Sequence, residues 1–560
     1  MYERFAATRQ DGLFGERSVV MAEGSYLLGI DFGTGGARVG IFDPEGTPLV
    51  FSERQYTLKY PRPGWAEQDP DEWWSCLVAA VKGAMEVSSI SPEDIVGISV
   101  DAMSSTVLAM DENDRHLRPA IMWMDVRSSE EADRIAGTNN NALKYNGYGA
   151  VSAEWGLPKA LWIKENEPEV YKDARHICEC GDWVIQRLTG EWTSSINMAS
   201  SKHYYDRDEG GYPESLYDAV DAGDLLDKFP NEVLDLGTVA GELRKEAAEE
   251  LGLRAGTPVA EGGVDAYVGA IGLGVVEPGK MALITGSSHV MIGQTSRPIH
   301  DPGFWGAYTD AMIPGQYTVE AGQASTGSIV AWFKNQFAGD AAAEARERGV
   351  DTYDVLTEQA RDVPIGSDGL IVLDYFQGNR SPYTDPLARG MMWGLTLSHT
   401  PGHVFRAIIE GICYGTENIL RTMRGQDFEP KLNVVSGGPA KSDLWMQMHA
   451  DVSNVPISFT RVSDGPVLGS AMLAAIGAGI YPDIPAAAEN MVHTADTIEP
   501  DPGRHEEYRF YVDRYMEAYP QMKELMHKTE RHVAGRGSGA GASVPGVFGE
   551  AGSFRRSDEA

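Results

Sequence analysis

Short apolar runs broken by clusters of glycine and small polar residues recur along this chain. Residues 26–30 (YLLGI) read as a strand, 31–38 (DFGTGGAR) as a glycine-rich turn and 39–42 as a second strand, with DPEG turning into a third. The same grammar returns at 283–293 (LITGSSHVMIG) and at 432–442 (LNVVSGGPAKS). A further strand ends in a small polar turn at 103–106. Apolar residues at helical spacing predict helices over 70–85, 403–423 and 508–530. The first of these has Asp69 or Asp71 as cap and Pro70 in its opening turn. The second offers Ile408, Ile409, Ile412, Tyr414 and Ile419 to a core. Strands alternating with helices predict an α/β protein.

The stretch EGGVDAYVGAIGLG at 261–274 places Asp265 between a short apolar strand and a small-residue helix. A carboxylate there is either the helix N-cap or a catalytic acid. Gly262 and Gly263 would let the backbone pass close to a ligand. The turn at 31–38 exposes backbone N–H groups suited to a phosphate, with Asp31 placed to hold magnesium through water; a plain hairpin with an Asp in its turn is the alternative. Two strand-turn units of this kind suggest two copies of one plan facing each other across a cleft.

Composition narrows the partners. A chain of 560 residues is too long for one core. Its net charge of −35 argues against nucleic acid, whose phosphates are bound through Lys and Arg excess. No apolar run approaches the roughly 18 residues of a membrane span. Four cysteines lack the number for a disulfide framework, and Cys178 and Cys180 lack zinc-pair spacing, so a reducing cytoplasm is the simplest setting. Residues 1–24 read as a disordered extension with Met21 as an alternative start, and 531–560 as a flexible tail. Dimers are common at this size, and a homodimer is compatible with it.

The run DxGTxxxR between two strands resembles the first phosphate loop of the FGGY sugar kinases, which have the actin-like, ribonuclease-H-like ATPase fold. Gly36 stands where many members carry Ser. The stretch from Gly390, Met392, Gly394 and Leu395 to His403 and Glu410 resembles the family's second signature, with His403 and Glu410 expected as a cap and a structural contact. Trp123, Asp125 and Arg127 match a WxDxR element; a surface helix start is the alternative. Residues 151–171 resemble the first signature, with departures at Gly156 and Ala160, and are expected to pack rather than react.

The resemblance implies two ribonuclease-H-like domains around a central catalytic cleft: 25–280, carrying the sugar, the phosphate side and the base, and 281–530, carrying the nucleotide. It implies ATP and Mg2+, with Asp265 as base and Asp31 and Asp265 at the metal. Gly33, Thr34, Arg38, Gly286 and Ser287 would meet phosphates, and Gly437, Gly438 and Ser442 the adenosine. Ser104, Lys202 and Glu320 would hold the sugar, with Gln323 beside Glu320 at a strand-to-helix turn. The small-residue helix at 464–479 (DGPVLGSAMLAAIGAG) is expected against the turn at 436–442. D- or L-ribulose heads the substrates, ahead of xylulose, ribitol and glycerol. An actin-like ATPase that turns over ATP without sugar is the remote alternative.

Overall fold

Strand β1 (Tyr26–Phe32), β2 (Gly36–Phe42) and β3 (Pro48–Gln55) form an antiparallel meander in which Leu27, Leu28, Ile30, Phe32, Val39, Ile41 and Phe42 are fully buried, while β3 is exposed or half-buried along its length. The glycine turn is tighter than the sequence suggests. Both strands extend into it, so Arg38 lies within β2 directly opposite Asp31. This computed structural model describes residues 24–537 except 231 and 427; the expected N-terminal extension, apart from Gly24, and the tail beyond 537 fall outside the described residues.

Helix α1 (Pro70–Ser88) opens with Asp69 accepting from the Asp71 amide and Pro70 in the first turn. Strand β4 (Ile95–Ala102) then lies parallel to β1. Helices α2 (Gly156–Asn166), α3 (Cys180–Thr189) and α4 (Ile196–His203) precede β5 (Val239–Glu242) and β6 (Pro258–Ala260), and α5 (Asp265–Gly272) follows. The six strands run in the order β5-β6-β4-β1-β2-β3. A small four-stranded sheet, which includes residues 107–110 and 176–179, flanks them.

The second half repeats the plan. Strands β7 (Lys280–Thr285), β8 (His289–Thr295), β9 (Trp305–Thr309) and β10 (Tyr317–Gln323) are antiparallel neighbours. After α6 (Gly327–Phe337) and α7 (Pro401–Arg424), β11 (Leu432–Gly437) pairs parallel with β7. Helix α8 (Asp443–Ser453), β12 (Ile457–Thr460), α9 (Gly465–Gly477), β13 (Thr494–Ile498) and α10 (Pro502–Gly537) complete it. The order is β9-β10-β8-β7-β11-β12-β13. Three antiparallel strands lead in the first sheet and four in the second, and in both two parallel strands and a last antiparallel one join the far side of the first strand, which is the ribonuclease-H-like plan twice over.

The second signature is structural where it was read as such. The Thr400 amide donates to His403 Nδ1 at 3.2 Å, and buried Glu410 accepts from Arg406 Nε at 2.8 Å and from the Gly366 amide at 3.1 Å. Ile408, Ile409, Ile412, Tyr414 and Ile419 are all buried. In α10, Tyr508, Val512, Tyr515 and Tyr519 form the buried stripe at helical spacing.

Helix α9 departs from expectation. It lies on α5, β1 and β4 of the first sheet rather than on the turn at 436–442. Glycines permit this approach: a Cβ on Gly272 would lie 2.0 Å from the Gly465 carbonyl oxygen, one on Gly469 2.1 Å from that of Val268, and one on Gly29 2.1 Å from that of Val467. Val467, Leu468, Ala471 and Met472 fill the same core as β1 and β4. Burying Leu468 alone contributes about 1.5–3 kcal/mol. Small residues on both faces suit this crossing, which backbone atoms make without intervening side chains.

Candidate active site

Asp265 sits where β6 gives way to α5. Val264 is the N-cap and Asp265 the first helical residue, its Oδ1 accepting from the Ala266 amide at 2.7 Å. The capping alternative therefore falls. The neighbouring glycines serve the protein rather than a ligand: a Cβ on Gly262 would lie 1.7 Å from the Val100 carbonyl oxygen, and one on Gly263 2.7 Å from Asn197 Oδ1. Asn197 Oδ1 also accepts from the Val264 amide at 2.7 Å, which fixes the helix start. Asp265 is half-buried. Burial, and then the charge of Asp31, push its carboxyl up to about 6, while the Ala266 amide, Lys202 and Arg38 pull it back. A carboxylate so tuned is a competent proton acceptor near neutral pH.

Asp31, fully buried at the end of β1, accepts from Arg38 Nε at 2.7 Å. Arg38 Nη1 reaches on to Asp464 at 3.2 Å, so the arginine expected among phosphates is engaged by two carboxylates. The parallel register sets Asp101 of β4 beside Asp31. Asp101 Oδ2 accepts from Ser470 Oγ at 2.6 Å, and burial, followed by Asp31, holds its carboxyl well above the usual range. Oδ1 of Asp31, of Asp101 and of Asp464 are buried with no donor. These three oxygens do not close on one point: among the described residues the group of three acidic or histidine side chains with ligand atoms within 4.8 Å of one another is Asp69, Asp71 and His116. Sequence reasoning passed over Asp101, Asp464 and Ser470. The usable signal was an apolar strand ending in Asp, present at both 26–31 and 95–101.

The first loop is braced from behind. Thr34 Oγ1 accepts from Trp123 Nε1 at 2.9 Å, the Thr34 carbonyl from Gln68 Nε2 at 2.8 Å, and the Gly33 carbonyl from the Tyr56 hydroxyl. Trp123 thus belongs to the site. Asp125 and Arg127 lock its loop, with Arg127 Nε donating to Asp125 at 2.9 Å and the guanidinium 3.7 Å from the Trp65 ring centre. Fully buried Lys159 donates to the Trp123 carbonyl at 3.1 Å, and burial lowers its ammonium to about 7. In the second loop Gly286 and Ser287 are exposed, their carbonyls accepting from the amides of Gly327 at 3.1 Å and Thr326 at 2.9 Å. Gly437 and Gly438 are exposed as well. Gly437 has a φ of 101°, and a Cβ there would lie 1.8 Å from the Thr285 carbonyl oxygen. The hydroxyl of Ser442 caps α8, accepting from the Trp445 amide at 3.4 Å.

On the other flank Lys202 Nζ donates to Ser104 Oγ at 3.0 Å. Lys202 takes a left-handed backbone with φ of 77° at a kink in α4, which turns its side chain toward the turn at 103–106. Its ammonium stands 5.7 Å from the Trp305 ring centre, and the Arg380 guanidinium 5.3 Å from the same ring. Arg380 also pairs with Glu154 at 3.4 Å. Glu320 lies within β10 rather than at the turn that follows, and its Oε2 accepts from the Tyr267 hydroxyl at 2.7 Å. Gln323 is buried structure, donating to Asp374 at 2.8 Å and the Ile412 carbonyl at 2.9 Å. Ser104 and Lys202 therefore meet directly, and Lys202 acts electrostatically on Asp265; Glu320 joins them through Tyr267 of the helix that Asp265 opens. Trp305, Arg380 and Tyr267 were not foreseen.

Two ribonuclease-H-like sheets, glycine turns at the ends of their leading strands and a tuned carboxylate opening a helix between them define a phosphotransferase of the actin-like fold. The chain belongs to the FGGY family of carbohydrate kinases, matching the N-terminal domain of that family over residues 26–272 and its C-terminal domain over 281–478. It is 32% identical over 546 residues to a ribulokinase of Shouchella clausii, covering 91% of this chain and 96% of that one. An FGGY carbohydrate kinase domain-containing protein of Xenopus laevis is 33% identical, with 88% and 95% covered. Xylulose kinase from Rhodospirillum rubrum superposes with a TM-score of 0.80 at 27% identity, covering 90% of this chain and 100% of that one. The chain is a carbohydrate kinase.

Proposed function

We propose that this kinase phosphorylates a ketopentose, D- or L-ribulose first, at its terminal hydroxyl, giving ribulose 5-phosphate and ADP. The observation that carries the reading is Asp265, half-buried at the first position of α5 under the opposing influence of Asp31 and Lys202. Relatives named ribulokinase at 32% and 31% identity support the choice of sugar. A solved xylulose kinase at 27% identity keeps xylulose as the second reading.

Phosphoryl transfer is loose, so placement and electrostatics carry it. Lys202, Ser104 and Glu320 hold the sugar hydroxyls, leaving the terminal hydroxyl against Asp265. As that oxygen bonds to the γ-phosphorus of ATP, its proton passes to the Asp265 carboxylate and the bond to the β-phosphate bridging oxygen breaks. The acid then returns its proton to solvent. Backbone and hydroxyl donors of Gly33, Thr34, Gly286 and Ser287, with Arg38, orient the phosphates, and Gly437, Gly438 and Ser442 take the adenosine. Asp31, with Asp265 nearby, is suited to a Mg2+ ion held through water, which would supply charge neutralisation at the β- and γ-phosphates. Free cysteines accord with a cytoplasmic enzyme.

ADP release measured across D-ribulose, L-ribulose, D-xylulose, ribitol and glycerol tests the assignment. Strongest kcat/KM on a ribulose supports it. Preference for xylulose or a polyol moves the substrate within the family, and ATP turnover indifferent to every sugar sinks it.

A further inference from the structure

Trp305 and Glu320 stand directly opposite each other on β9 and β10, so their side chains share one face of the second sheet. Gly322, two residues further along β10, lies on that face as well, and a Cβ there would stand 3.6 Å from Arg380 Cδ. The Arg380 stem therefore runs over the face that bears Glu320. Its guanidinium is 5.3 Å from the Trp305 ring centre, and Lys202 Nζ is 5.7 Å from the same centre. Lys202 in turn acts on Asp265. A succession of neighbours thus leads from the proposed base through Lys202 and Trp305 to Arg380.

At its far end the hydrogen-bonding capacity is hardly used. A guanidinium carries five N–H donors. Among the described residues one of these meets a side-chain acceptor: Arg380 Nη2 reaches Glu154 Oε2 at 3.4 Å, the outer limit of a hydrogen bond. The two side chains are 19% and 29% exposed, neither sealed in the core nor free in solvent. Glu154 precedes α2 in the first half and Arg380 lies between α6 and α7 in the second. A couple held so loosely leaves donors and acceptors for one more group. A hydroxyl suits it, accepting from Arg380 and donating to Glu154. Lys202 and Arg380 are balanced by Glu154 and Glu320, which favours an uncharged polyhydroxy ligand over a sugar acid.

We propose that Arg380 and Glu154 bind the C1 hydroxyl of the ketopentose, the end remote from the hydroxyl that Asp265 deprotonates. The inference rests on the ketopentose reading and adds the residues that measure the length of the sugar. With its reacting oxygen at Asp265, a three-carbon polyol falls short of them. Because the couple comes from opposite halves, the sugar between them also ties those halves together.

The test is isothermal titration calorimetry on the full-length protein without nucleotide, so that no transfer occurs. The ligands are D-ribulose, L-ribulose, D-xylulose, D-ribonate and the 1-deoxy counterpart of whichever ketopentose binds best. Wild type is expected to bind the parent sugar about tenfold or more tighter than its 1-deoxy counterpart. Arg380→Met and Glu154→Gln should bind the parent more weakly and no longer distinguish the two, with the Kd for ADP unchanged. A merely structural disturbance would weaken both sugars and keep their ratio. A kept ratio in a folded variant, no preference in wild type, or tighter binding of ribonate than of ribulose overturns the proposal. Should the variants not fold, crystals of wild type with the sugar decide it: a C1 oxygen within hydrogen-bond reach of Arg380 supports the assignment, and one elsewhere defeats it. Failure of wild type to bind any ketopentose ends the ketopentose reading and the inference together, whereas a ratio kept by the variants ends the inference alone.

Discussion

The hydroxyl of Tyr267 donates to Glu320 at 2.7 Å, joining α5, which opens with Asp265, to β10 of the second sheet. One helix therefore sets both Asp265, the proposed base, and Glu320, the proposed sugar-side carboxylate. Glu320 is 5% exposed, so its bond to the hydroxyl is not readily replaced by water. Tyr267→Phe should cost about 1–3 kcal/mol by leaving that carboxylate short of a donor. KM for the sugar should rise while KM for ATP holds. Equal changes in both constants would detach Glu320 from the sugar.

Asp265→Asn should lower kcat by about 10²–10⁴-fold while ATP and ADP still bind. Its stability has a definite sign. The folded carboxyl lies at about 6 against an unfolded value of about 3.9, so ionisation opposes folding. The penalty is fully present above pH 6 and fades as pH falls toward 4. The Asn variant should therefore melt higher than wild type at pH 8, with the gap closing toward pH 4. An inactive variant that melts lower at pH 8 would point to a misplaced helix rather than a missing base.

Wild-type kcat/KM should climb as pH rises toward about 6 and then level, because the base must be ionised. Lys202 favours that ionised form. Lys202→Met should raise the sugar KM and also move the acidic limb to higher pH. An unmoved limb would separate Lys202 from Asp265.

Gly469→Leu and Gly272→Val each drive a side chain into backbone across the α5 and α9 crossing. Each should destabilise the fold by about 3 kcal/mol or more, the upper range for overpacking, since main chain cannot rotate away. Gly35→Ala, with nothing within 4 Å of its Cβ, should leave Tm unchanged and serves as the comparison in thermal melts. Parity among the three variants would mean that the crossing yields.

Glycine punctuation made the strand-turn units at 26–42 and 283–293 readable from the chain, and the helical period located α1, α7 and α10. What escaped depends on pairing. Composition does not fix the length of a turn, so Arg38 was placed in the loop although the register sets it opposite Asp31. Asp101 carries no local mark, because its partner lies on a strand distant in sequence. The two faces of α9 are small enough to suit several neighbours, and only the glycines of α5, β1 and β4 select the first sheet. The roles proposed for Asp265, Lys202 and Ser104 rest on family likeness, and the geometry that joins the last two is not legible in their spacing.

The position of α9 sets a schedule for synthesis. Residues 465–477 cover β1 and β4, which leave the ribosome far earlier. At roughly 5–20 residues per second, translation from 272 to 477 takes on the order of ten to forty seconds. Throughout that interval the nascent first half presents a bare apolar sheet face, a surface for chaperones, and a chain truncated before α9 would keep it.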